Sequence, residues 1–323
     1  MQTRPQLVIR SELDPQHVAH LRLAFPQADF PVCTTPEALQ QALGDADALI
    51  GGWWLTPEIL AAAPRLRWVQ ATSTGIEKFP FAELRERSIV LTNASGMLAP
   101  PIAEHILALM LVFARGLRPV LRWQDERYWR REEDRLPPVF ELEGQTLGVV
   151  GLGSIGDALA RKAHGLGMRV LAIRRDVGEQ PAYIARLLPR SCLAELLAEA
   201  DHVALCLPLT RETIGLIGAR ELRQMRRTAY IYNIGRGETI DQEALLEGLR
   251  NGWIAGAGLD VTTPEPLPPG SPLWDAPNMV ITMHTAGRTT KYWQRGIGFL
   301  TENVRRFLNG EPLENVIDLE RGY

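Results

Sequence analysis

The sequence predicts an α/β protein of two domains, each a parallel sheet covered by helices. Three observations predict it. Short apolar runs alternate with helix-forming stretches twice over, once before residue 93 and again between 145 and 287. Repeated β/α alternation with short connections implies parallel strands joined by crossover helices. The 323 residues are enough for two full cores. A G-x-G-x-x-G turn occurs in the second series and no such fingerprint in the first, so the two halves carry different loops.

In the first series, Leu7–Ile9 reads as a strand and Pro15–Phe25 as an amphipathic helix. Further strands are predicted at 48–50, 66–70 and 89–91, with helices at 36–43, 57–63 and 80–87. Thr35-Pro36 and Thr56-Pro57 carry the cap-then-proline signature of helix starts. Residues 100–121 predict one long helix, opened by Pro100 and Pro101 and apolar almost all round through Ile102, Ala103, Ile106, Leu107, Leu109, Met110 and Phe113. Such a helix is buried between domains or in a subunit interface. His105 on it reads as a packed core histidine rather than a ligand. Residues 122–135 mix both charge signs with Trp123, Tyr128 and Trp129, which fits a solvated segment or a protein contact.

The second series predicts strands at 146–150, 169–173, 202–206, 229–233, 254–258 and 279–282, then a helix over 289–309 and a short strand at Val316-Ile317. Five prolines between Thr262 and Pro272 hold that loop to a fixed path.

Composition excludes several classes of function. Apolar residues at 46% and charged residues at 23% argue against disorder. A net charge of −3 leaves no basic field for nucleic acid or an anionic membrane. Met1–Arg10 lacks the apolar core of a signal peptide, and the apolar segment Ile106–Phe113 is too short to span a bilayer. Cys33, Cys192 and Cys206 lie far apart, which excludes a zinc ribbon or disulfide scaffold and fits a reducing cytosol. The expectation is a soluble, cytoplasmic protein without a metal site.

The fingerprint is Leu147-Gly-Val-Val-Gly151-Leu-Gly153-Ser154-Ile155-Gly156. Gly151 permits the tight strand-to-helix turn, Gly153 lets backbone approach a pyrophosphate, and Gly156 lets the helix pack close to the strand. The helix start presents free N–H groups to an anion. A strand before and a helix after the glycines supply the context that a bare glycine-rich loop lacks. The second domain is therefore predicted to be a Rossmann-type doubly wound sheet.

Where an NAD site places an acid for the ribose 2′-hydroxyl, 18 residues after Gly156, this chain has Arg174, followed by Arg175 and Asp176. Two guanidinium groups suit a 2′-phosphate and predict NADP(H) as the preferred cofactor, with NAD(H) possible. In the alternative, both arginines face solvent and Asp176 serves the ribose.

Arg236, Glu265 and His284 all fall after carboxyl ends of predicted strands, where open α/β sheets bind ligands. Each alone would be bland. Together they supply what hydride exchange with a 2-oxo acid requires. A histidine delivers a proton as the carbonyl becomes an alkoxide, a neighbouring carboxylate favours its protonated form, and an arginine clamps the substrate carboxylate. Residues 70–76, Gln-Ala-Thr-Ser-Thr-Gly-Ile, form either a backbone nest for a carboxylate or a plain turn.

These motifs resemble the D-isomer-specific 2-hydroxyacid dehydrogenase family over nearly the whole chain. The matching pieces are the glycine fingerprint, Cys206-Leu-Pro208-Leu-Thr210, Asn233-Ile-Gly-Arg236-Gly237, Gly258-Leu-Asp260-Val, Glu265-Pro-Leu-Pro268 and His284-Thr-Ala-Gly287. The resemblance implies that Arg236 binds substrate, Glu265 supports the histidine and His284 is the general acid/base. It implies that Asp260 contacts the nicotinamide carboxamide and that backbone of Thr74 and Gly75 holds the substrate carboxylate. Ser154, Ile155, Leu207, Pro208, Ile234, Gly235 and Gly287 would border the cofactor with the fingerprint glycines. It further implies a smaller flavodoxin-like outer domain for substrate, residues 1–98 and 289–323, around a dinucleotide-binding domain of 99–288, and a homodimer built on the long helix.

Thr262 and Met283 depart from the family pattern, which often has an aromatic residue and a proline there. Arg174 is similar to the NADP-using glyoxylate and hydroxypyruvate reductases. Trp53 and Trp54 fall where family members shape the substrate pocket, although core packing accounts for them equally well. The expected reaction is reduction of glyoxylate or hydroxypyruvate. Two alternatives stand beside it: a D-3-phosphoglycerate-type dehydrogenase, and a dinucleotide-sensing scaffold like the C-terminal-binding co-repressors. The short C-terminal segment, without a regulatory domain or long tail, disfavours both. Formate dehydrogenases are similar in fold but do not keep the Glu–His pairing.

Overall fold

A computed structural model of the chain describes residues 4–10, 13–52, 54–131 and 139–323. Trp53 and residues 132–135 of the aromatic segment lie outside them. The chain divides into two compact units, Met1–Leu98 with Thr289–Tyr323, and Ala99–Arg288.

The first unit runs β1 (Leu7–Arg10), α1 (Pro15–Ala24), β2 (Val32–Cys33), α2 (Pro36–Leu43), β3 (Ala48–Ile50), α3 (Pro57–Ala62), β4 (Trp68–Gln70), α4 (Phe81–Glu86) and β5 (Val90–Thr92). The strands form one parallel sheet in the order β2-β1-β3-β4-β5. β3 and β4 are buried at every residue, as strands covered on both faces must be. Thr35 and Thr56 cap α2 and α3, their hydroxyls accepting the N–H groups of Ala38 and Ile59. β2 has only two residues, too few to leave a periodic pattern in the sequence.

The second unit begins with α5 (Ala99–Ala114) and α6 (Leu117–Asp125). It continues through β6 (Thr146–Val150), α7 (Ser154–Gly165), β7 (Arg169–Ile173), β8 (Arg186–Leu188), α8 (Leu193–Glu199) and β9 (His202–Leu205). α9 (Ala219–Gln224), β10 (Tyr230–Asn233), α10 (Gln242–Arg250), β11 (Gly256–Leu259) and β12 (Met279–Ile281) complete it. Its sheet is parallel throughout, in the order β12-β11-β10-β9-β6-β7-β8. The chain moves outward from β6 to β7 and β8, then returns to β9 on the other side of β6. That reversal puts the crevice of a doubly wound sheet at the carboxyl ends of β6 and β9.

The predicted helix over 100–121 is two helices. Gly116 adopts φ +58°, in the left-handed region, and its N–H reaches Phe113 across a tightened turn. Pro119, in the first turn of α6, has no N–H with which to continue the ladder to Arg115. α5 is buried along much of its length and packs on α7, whereas no residue of α6 is buried.

The final helix, α11 (Tyr292–Asn309), belongs to the first unit. Its wholly buried Asn303 donates to Gln70 Oε1 at 3.2 Å and accepts from Glu314 N at 2.8 Å. Gln70 Oε1 in turn accepts from Thr92, whose oxygen accepts from Trp68 Nε1, so one satisfied polar chain ties β4, β5 and α11 together. Val316 makes an isolated antiparallel bridge to Thr92 rather than a strand.

Candidate active site

The glycine fingerprint sits at the β6–α7 turn, and each glycine has a geometric reason. Gly151 takes φ +102°, and a Cβ there would stand 2.7 Å from the Cys206 carbonyl oxygen. A Cβ on Gly156 would stand 2.2 Å from the Gly151 carbonyl oxygen. A Cβ on Gly153 would meet nothing within 4 Å, so the space over this backbone is open. The N–H groups of Gly153, Ile155 and Gly156 have no acceptor among the described residues, which is the donor array that an anion requires. Gly235 is pressed against the next loop, where a Cβ would lie 2.6 Å from the Leu207 carbonyl oxygen. Thr213 holds that loop by donating to Pro208 O at 2.7 Å. Loop and fingerprint together fit a dinucleotide.

Arg174 and Arg175 follow β7 and are exposed. Arg175 pairs with Asp176 at 3.3 Å, while the Arg174 guanidinium has no partner among the described residues. Arg174 is thus the freer of the two to meet an anion.

Arg236 lies just past β10, in a turn closed by one side chain. Asn233 Oδ1 accepts from Gly235 N at 3.1 Å and Asn233 Nδ2 donates to Arg236 O at 2.8 Å. Arg236 Nη1 donates to Gly235 O at 2.6 Å. Gly237 then packs on the proline-rich loop so tightly that a Cβ would lie 2.3 Å from the Thr262 carbonyl. Asn233 was not assigned from sequence, although a buried polar residue ending an apolar strand marks it.

Glu265 Oε1 accepts from Thr262 N at 3.0 Å, which points its other oxygen, Oε2, at His284 Nδ1, 2.8 Å away. An ionised carboxylate only accepts, so Nδ1 is the donor of this bond and Nε2 is directed away from it. His284 adopts φ +52°, and its N–H donates to the Asp260 carbonyl oxygen at 2.8 Å. The Asp260 carboxylate is 2% exposed and accepts from Thr282 Oγ1, Thr285 N and Ala286 N at 2.5, 2.9 and 2.9 Å. Asp260 therefore brackets the turn that carries the histidine. His105 is not sealed in the core. Its ring is 21% exposed, and Nε2 lies 2.9 Å from Thr282 Oγ1.

The family model for the NAD binding domain of D-isomer specific 2-hydroxyacid dehydrogenases matches residues 107–286. The chain belongs to this family. A glyoxylate reductase of Korarchaeum cryptofilum is 38% identical over 282 residues, 85% of this chain and 84% of that protein. A glyoxylate/hydroxypyruvate reductase B of Pectobacterium carotovorum is 36% identical over 314 residues, 96% of this chain and 94% of its own length. The solved structure of a D-isomer specific 2-hydroxyacid dehydrogenase from Xanthobacter autotrophicus, in complex with NADPH and MES, is similar with a TM-score of 0.82 at 29% identity. That likeness covers 99% of this chain and 100% of the other. As a member of this family the chain is an NAD(P)-dependent oxidoreductase acting on a CH–OH donor.

In the first unit, Thr74 and Gly75 lie in the loop after β4. Asn93 Nδ2 donates to Thr74 O at 2.9 Å and Ser73 Oγ to Gly75 O at 2.6 Å. The N–H groups of Thr74, Gly75 and Ile76 have no acceptor among the described residues, and the Thr74 hydroxyl is buried without a partner. Trp54 carries the Arg10 guanidinium 3.9 Å above its ring, and its carbonyl accepts from Arg10 Nη1 at 3.1 Å. No described helix is long and apolar enough to cross a membrane, and no metal-ligating cluster occurs among the described residues.

Proposed function

We propose that this enzyme reduces glyoxylate or hydroxypyruvate with NADPH as the preferred cofactor. The observation that carries the chemistry is the Glu265–His284 pair, which leaves one imidazole nitrogen directed away from the carboxylate. NADPH, when bound, supplies the hydride. His284, protonated and steadied by Glu265, gives its Nε2 proton to the carbonyl oxygen as charge develops there. Arg236 holds the substrate carboxylate and polarises the oxo group. The names of the two relatives support the substrate class, and the NADPH bound by the Xanthobacter enzyme supports the cofactor.

The roles of individual residues belong to the same reading. The 99–288 unit binds the dinucleotide through Gly151, Gly153, Ser154, Ile155 and Gly156, with Leu207, Pro208, Ile234, Gly235 and Gly287 beside it. Asp260 serves the carboxamide, and Arg174 with Arg175 the 2′-phosphate. The 1–98 and 289–323 unit binds substrate, with the free N–H groups of Thr74 and Gly75 taking a carboxylate. The exposed side chains of Leu111, Leu117, Val120 and Leu121 support a homodimer, and the separated cysteines support the cytoplasm as its location.

A panel of 2-oxo acids followed at the nicotinamide absorbance, with NADPH and with NADH, tests this reading. Turnover of glyoxylate and hydroxypyruvate with NADPH is expected. Tight cofactor binding without turnover of any acid would make the chain a scaffold instead.

A further inference from the structure

The geometry points to His105 as a positioning residue for the catalytic turn, acting through Thr282 on Asp260. Among the described residues, the contacts form a chain from α5 to the turn that holds His284. His105 Nε2 is 2.9 Å from Thr282 Oγ1, which is 2.5 Å from Asp260 Oδ1. Asp260 then holds three successive residues of the turn, His284 N by its carbonyl and Thr285 N and Ala286 N by its carboxylate.

The direction of the chain follows from counting protons. Thr282 has a single hydroxyl proton for two neighbours. Thr285 N and Ala286 N can only donate, so the Asp260 carboxylate is placed to accept and remain ionised. The threonine proton therefore goes to Asp260, and the threonine oxygen must accept from His105 Nε2–H. His105 is held in one tautomer and commits the threonine proton to the carboxylate. His105 Nε2 is also 3.7 Å from Asp260 Oδ1, so the ring lies against the carboxylate as well as the threonine hydroxyl. Without His105, the Thr282 hydroxyl is free to rotate, and Asp260 loses a donor committed to a nearly buried charge. The strained His284 backbone then has a weaker bracket. The fault is expected in the chemical step, because the chain of contacts ends on the backbone of the turn that carries His284.

Four variants test this: His105→Leu, His105→Gln, Thr282→Val and the double variant His105→Leu/Thr282→Val. We expect His105→Leu to lower kcat about 10-fold, with the KM for the 2-oxo acid within about 2-fold of the parent. His105→Gln, which keeps an N–H donor, should recover to within about 3-fold. Thr282→Val keeps the shape of the side chain and should match His105→Leu, and the double variant should be no slower than either single one. An unchanged kcat in His105→Leu, or losses that multiply in the double variant, would overturn the proposal.

The kinetic arm rests on the 2-oxo acid reading, so a second arm does not use turnover. In protein labelled with 15N at histidine, the His105 ring should be the Nε2–H tautomer, with a protected N–H signal that is absent from His105→Gln and lost to exchange in Thr282→Val. An Nδ1–H tautomer in the parent would overturn the proposal whether or not any acid is reduced. Thr282→Val carries the same test if His105→Leu fails to fold.

Discussion

Glu265 faces His284 with only one of its two oxygens, the other being held by the backbone N–H of Thr262. A carboxylate fixed at one end cannot swing away from the imidazole, so the pair is set before any substrate arrives. Replacing Glu265 with Gln keeps the size and the Thr262 bond and removes the negative charge that steadies an imidazolium. kcat/KM for the 2-oxo acid should fall about 100-fold. Cofactor affinity, measured by quenching of protein fluorescence, should change less than about 2-fold. A kcat/KM within about 3-fold of the parent would show that the carboxylate charge is dispensable.

Asn233 closes the turn of Arg236 with an acceptor and a donor on one amide. Asn233→Ala leaves a buried N–H and a carbonyl unpaired, a loss of about 1–3 kcal/mol at each. Asn233→Asp keeps the acceptor alone. The KM for substrate should rise in the order parent, Asp, Ala, by about 10-fold or more at the Ala end. An Ala variant with the parent's KM would detach Asn233 from the placement of Arg236.

The two arginines after β7 are unequal, because Arg175 already faces Asp176. Arg174→Ala should raise the KM for NADPH by about 10- to 30-fold, the worth of one charge-assisted contact. Arg175→Ala should raise it less, and neither should move the KM for NADH by more than about 2-fold. Parallel rises for both cofactors would assign the arginines to something other than the 2′-phosphate.

His202 predicts an acid weakness far from the chemistry. It is wholly buried in β9, with Nε2 2.6 Å from Gln145 Oε1 and Nδ1 3.0 Å from the Tyr232 hydroxyl. Burial lowers its pKa from 6.5 to about 4. Between those values the unfolded chain binds a proton that the folded chain refuses. The stability due to the neutral imidazole is therefore complete above pH 6.5 and declines as pH falls, by about 3 kcal/mol at pH 4. Urea midpoints measured from pH 7 to pH 4 should show this slope, and His202→Gln should flatten it. The same slope in the variant would assign the acid sensitivity to other groups.

Much of this was legible in the sequence, where close backbone contact dictates the residue. Gly151 and Gly156 could be read as glycines because no Cβ fits at either place. Glu265 and His284 could be singled out because both follow strand ends of an open sheet, and the fold brings them to 2.8 Å. The break at Gly116 was hidden, because Leu117, Val120 and Leu121 continue an apolar pattern across it while remaining exposed. His105 reads as core in the sequence, because its partner Thr282 lies 177 residues away at a strand end. Thr282 itself looked like the last residue of a strand.

The left-handed backbone of His284 also decides how to make an inert enzyme for capturing cofactor and 2-oxo acid together. Asn tolerates that conformation as well as His does, whereas Ala and Gln do not. His284→Asn removes the imidazole proposed as proton donor, and its short amide keeps the turn intact. A ternary complex built on that variant would show the substrate where the enzyme holds it, rather than where a relaxed loop lets it drift.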